Sequence, residues 1–136
     1  MNQMTNNTTG RPLSAEDHRT VEQDETRDLI SSDKVDGTAV YSTDGEKLGH
    51  VDHLMIGKRS GQVKYAVMSF GGFLGLGESY HPIPWDALEY DTERDGYVVA
   101  LDKEKLRDAP YYTSDSPPVF DANYGAGLYR YYGVFY

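Results

Sequence analysis

The stretch Ser60-Gly61-Gln62-Val63-Lys64-Tyr65-Ala66-Val67-Met68-Ser69-Phe70 decides the fold class. Ser60-Gly61 offers a tight turn, and beyond it Val63, Tyr65 and Val67 alternate with Ala66, Met68 and Phe70, so a period of two predicts a strand that is apolar on both faces. Both faces then need cover. One cover is a barrel interior, and the other is either a partner subunit or the chain's own tail.

Working outward, Asp44-Gly45 and Asp95-Gly96 repeat the turn chemistry of Ser60-Gly61, each supplying a residue that tolerates positive φ between apolar runs. The runs so punctuated are Thr38 to Ser42, Leu48 to Gly57, Gln62 to Phe70, Ser79 to Trp85 and Tyr97 to Leu101. They predict an all-β domain over Leu29 to Tyr112, a small barrel of five or six strands. Asp102 followed by Lys103-Glu104-Lys105-Leu106-Arg107 reads as a capped helix of one or two turns, stopped by Pro110. Trp85, the single tryptophan, follows Ile83-Pro84 at a strand end and is expected to be buried.

The flanks differ in composition. Residues 1–28 hold no aromatic side chain and carry 3 basic against 6 acidic residues, too little apolar surface to offset ordering, so a disordered acidic leader is expected. Residues 113–136 carry a proline pair at Pro117-Pro118 and end in a Tyr/Gly-rich aromatic tail, the segment holding five of the 12 tyrosines. That tail either docks on the barrel or stays mobile and adhesive.

With 136 residues, 38% of them hydrophobic, the chain supports one modest core. There is no cysteine, which excludes disulfides, zinc-thiolate sites and thiol nucleophiles. A net charge of -9 repels phosphate backbones and anionic lipid, so direct nucleic-acid binding is not expected. No stretch approaches the roughly 20 apolar residues of a membrane span, and the N-terminus lacks the pattern of a secretory signal, so a cytoplasmic protein is expected.

Several residues invite chemistry. His50, Asp52 and His53 suggest a metal site, but on a regular strand His50 and Asp52 share one face while His53 lies on the other, so the three converge only if a bulge intervenes. His81 shares parity with Ile83 and Trp85 and reads as a partly buried histidine bonded to backbone, because nothing in the sequence supplies the partner a catalytic histidine needs. Gly71-Gly72-Phe73-Leu74-Gly75-Leu76-Gly77 lacks the Lys-Ser/Thr and the helix of a phosphate loop. It reads instead as a connection displaying Phe73, Leu74 and Leu76, which either close the barrel or form a contact patch. Tyr129, Arg130, Tyr131 and Tyr132 form an aromatic cluster with one arginine, a composition favoured at binding hot spots.

The middle of the chain resembles the PRC-barrel family, the small β-barrel of the photosynthetic reaction-centre H subunit, of a ribosome-maturation factor and of many stand-alone bacterial proteins. The resemblance rests on Leu29-Ile30-Ser31-Ser32 with Val35 and Gly37, on Asp44-Gly45-Glu46-Lys47-Leu48-Gly49-His50-Val51-Asp52, on Ser60 to Val67, on Gly71 to Glu78 and on Ile83-Pro84-Trp85. Without a membrane helix or a second barrel ahead of it, the chain looks like a stand-alone bacterial member. The resemblance implies protein–protein interaction and no particular reaction. The expectation is therefore a non-catalytic interaction or assembly module with no cofactor, a homo-oligomer, using Phe73, Leu74, Leu76, Tyr129, Tyr131 and Tyr132 as partner-binding residues. The alternatives are a metal- or small-ligand sensor using His50, His53 or His81, and an auxiliary factor of ribosomal or photosynthetic assembly.

Overall fold

The computed structural model describes residues 28–71 and 78–134. These fall into two units divided after Val35. The first contains α1 (Ser32–Val35), a single turn begun by Ser31, whose hydroxyl accepts from the Asp33 amide at 3.2 Å. The expected leader, residues 1–28, lies outside the described residues apart from Asp28.

The second unit is built on six strands: β1 (Ala39–Tyr41), β2 (Lys47–Ile56), β3 (Val63–Gly71), β4 (Glu78–Pro84), β5 (Leu88–Asp91) and β6 (Gly96–Val99). They form one sheet in the order β4-β3-β2-β1-β6-β5. Neighbours are antiparallel except β1 and β6, which pair in parallel through Val40↔Tyr97 and Tyr41↔Val98. The all-β barrel expected from the alternation is what the chain forms. β2 is long and irregular, its register slipping against β1 between Val40 and Tyr41 and against β3 between Val51 and His53 and between Met55 and Ile56. Such slips let one strand bend around a small barrel.

Cross-strand register sorts the side chains. Val51 opposes Met68, and Met68 opposes His81, while Ala66 opposes Ile83. These residues are buried together with Val40, Tyr97 and Val99 and form the inner core. Val67 and Ser69, on the opposite face of β3, are also buried, so the strand is covered on both sides as its alternation requires.

The second cover comes from the same chain. After β6, α2 (Lys103–Asp108) is capped by Asp102, whose carboxylate accepts from the Lys105 amide at 2.8 Å. It buries Leu106. Tyr112 then bridges to Tyr80 of β4 through two backbone hydrogen bonds of 2.8 and 3.0 Å. The tail ends in α3 (Ala122–Tyr132), where Asp121 accepts from the Tyr124 amide at 2.9 Å and Gly133 closes the helix with φ 72°. Leu128 is fully buried. Tyr65 of β3 meets Phe120 and Tyr129 at ring-centroid distances of 5.6 and 5.9 Å, and Tyr132 and Val134 border a cleft with residues of β5 and β6. The helix thus reaches from β3 to the other end of the strand order.

One local reading gains detail and two change. Asp95 itself takes the positive φ of its turn, 52°, and Gly96 is required because a β-carbon there would lie 2.7 Å from the Ala39 carbonyl oxygen. The connection after Trp85 contains β5, and Asp91 ends that strand before accepting from the Glu93 amide at 2.9 Å. Trp85 is half-buried, because it begins a 3-10 turn (Trp85–Ala87) just past β4 and leans on Tyr97 at 5.4 Å from the barrel's end.

Candidate interaction surface

The tail tyrosines occupy three environments. Tyr129 is half-buried against Tyr65, as part of the cover over β3. Tyr132 is half-buried, its hydroxyl enclosed without a hydrogen-bond partner, and burial raises its pKa above the ordinary phenol value. Tyr131 faces outward at 37% exposure. Its hydroxyl donates to the Lys105 carbonyl at 2.6 Å, and its ring lies edge-on to Tyr132 with centroids 5.4 Å apart. Arg130 beside it is exposed. Phe73, Leu74 and Leu76 lie outside the described residues.

The histidines divide between the two faces of the sheet. The slip after Val51 puts His53 opposite Val67, and His50 is opposite Ser69, so the bulge that convergence demanded is present and the two histidines share the outer face. His53 Nδ1 lies 2.7 Å from Asp52 Oδ2. His50 borders a recess of about 230 Å³ with Lys47, Ser69 and Glu78, where the Ser69 hydroxyl is buried with no hydrogen-bond partner. His81 opposes Met68 on the inner face, so one ion cannot be held by all three imidazoles. No group of three or more metal-ligating side chains occurs among the described residues.

His81 is more deeply buried than its sequence reading, at 1% exposure. Phe70 meets it edge-on and Tyr111 stacks on it, both at 5.6 Å. Neither ring nitrogen has a hydrogen-bond partner. Burial pushes its pKa down to about 4. A neutral imidazole there packs as an aromatic side chain.

A second concavity, about 310 Å³, lies beside β5 and β6. Val98, Leu101 and Val134 give it an apolar lining, and the exposed carboxylates of Asp86 and Glu89 stand at its border. The sequence reading missed it, because its walls come from four separate segments that only the fold brings together. The acidic pair beside Trp85 was its one legible trace.

The family model for the PRC-barrel domain matches residues 27–106. No curated protein matches the chain. No helix among the described residues is long and apolar enough to cross a membrane.

Proposed function

Since the chain belongs to the PRC-barrel domain family, we propose that it works as a non-catalytic protein-interaction or assembly module, needing no cofactor. The observation that carries this reading is Tyr131. An aromatic ring held by its own hydroxyl at 2.6 Å and by a neighbouring ring loses little freedom when a partner covers it, which is where binding energy concentrates. Arg130 alongside adds a cationic donor suited to a carboxylate on the partner. Tyr132 supports the Tyr131 ring edge-on, and Tyr129 holds the same helix to Tyr65 of β3. Phe73, Leu74 and Leu76 supply a second apolar contact in the β3–β4 connection.

Quantitative co-purification from the source cell tests the proposal, with Tyr131→Ala and a Leu74→Ser/Leu76→Ser variant beside the native chain. One partner should be lost with Tyr131→Ala while thermal melting stays close to native. Recovery of an identical set of proteins with all three chains would overturn it.

A second reading, small-ligand or metal binding, draws on the unpartnered Ser69 hydroxyl beside His50, Lys47 and Glu78. Zinc titration followed through the histidine ring resonances tests it. Saturable perturbation of His50 would support it, and unchanged resonances would remove it.

A further inference from the structure

The cleft beside β5 and β6 has a matching surface elsewhere on the same chain. Its apolar lining is Val98, Leu101 and Val134, and Asp86 and Glu89 stand at its border. Both carboxylates are exposed, and neither has an ion-pair partner among the described residues. The β2–β3 hairpin presents the complementary set. Ile56 is 52% exposed at the end of β2, and Lys58 and Arg59 follow it, both exposed and likewise without an ion-pair partner among the described residues.

We infer that the chain forms a two-fold dimer in which the Ile56-Lys58-Arg59 hairpin of each copy docks in the Asp86–Glu89 cleft of the other. The chemistry matches part for part, with an aliphatic side chain for the apolar lining and two cations for the two carboxylates. A chain with a net charge of -9 repels its own copies on average, and a contact that sets basic side chains against acidic ones offsets that repulsion. A two-fold axis closes the pair, because the hairpin of each copy then meets the cleft of the other in two equivalent contacts.

Tyr132 borders the cleft and also packs on Tyr131, so the two proposals are separated by substitutions confined to the hairpin and the acidic border, which leave both tyrosines in place. Sedimentation velocity at high micromolar concentration tests it on the full chain. The native protein should sediment as a dimer, and Ile56→Ser should weaken association by about tenfold or more. Lys58→Glu/Arg59→Glu and Asp86→Lys/Glu89→Lys should each be monomeric, since each sets like charges against each other at both contacts. Mixing these two charge-reversed proteins should restore a dimer, because both contacts of the mixed pair then join opposite charges. A monomeric native chain, a dimeric charge-reversed variant, or a mixture that fails to associate would each overturn the inference. A monomer that still loses its partner on Tyr131→Ala would overturn the dimer alone.

Discussion

A β-carbon on Gly49 would lie 2.2 Å from the Ser69 carbonyl oxygen and 3.2 Å from the Met68 side chain. The first neighbour is backbone in a central strand and cannot yield cheaply. Gly49→Ala is therefore expected to cost about 3 kcal/mol, measured by urea denaturation, and an unchanged midpoint would contradict the close approach. His81 sets a pH dependence. Its folded pKa of about 4 lies below the ordinary value of 6.5, so between those values the unfolded chain binds the proton and the native chain does not. Stability is then lost as pH falls through that window, by up to about 1.4 kcal/mol per pH unit, and the His81→Phe protein should show a shallower slope. The Asp44 carboxylate, held below its usual pKa by the Ser42 hydroxyl, also weakens the fold on acidification. The difference between the two proteins isolates the histidine. Parity placed His81 inward correctly, yet the enclosing rings of Phe70 and Tyr111 come from distant positions that no local pattern joins.

Among the elements, α3 was the least legible. Asp121 and Gly133 are its cap and stop, and Tyr124, Leu128 and Tyr131 recur at helical spacing, but Gly125, Gly127 and the crowd of aromatic side chains mask the signal. β5 was missed for a related reason, since four residues alternating Leu88-Glu89-Tyr90-Asp91 are too short to stand out from the charged turn after them. The longer strands and α2 were readable because each combines a clean period with a turn or cap at its boundary. A β-carbon on Gly127 would meet nothing within 4 Å. Gly127→Ala should accordingly stabilise the protein by about 0.8–1 kcal/mol, provided α3 is part of the cooperative fold, and thermal melting checks it. Removing residues 120–136 should do the opposite. Leu128 alone would forfeit about 1.5–3 kcal/mol of burial, besides uncovering Tyr65, so the truncated chain should melt lower, and an unchanged melt would separate the tail from the barrel.

At the scale of the whole molecule, the all-β barrel was written in the alternation of β3, which demanded cover on both faces and received it from the core and from the chain's own tail. The candidate site was only half legible. Composition marked the tail tyrosines as a group, whereas their division into two half-buried rings and one outward ring depends on how α3 lies against β3 and near Lys105. That division is the centre of the functional account, because it makes Tyr131 the residue a partner meets first. The most direct test replaces Tyr131 with a photo-crosslinking amino acid in living source cells, with the same replacement at exposed Glu104 of α2 as the reference position. One saturable adduct of defined mass at position 131, absent from position 104, is the predicted result, and indistinguishable or absent adducts at the two positions would contradict it.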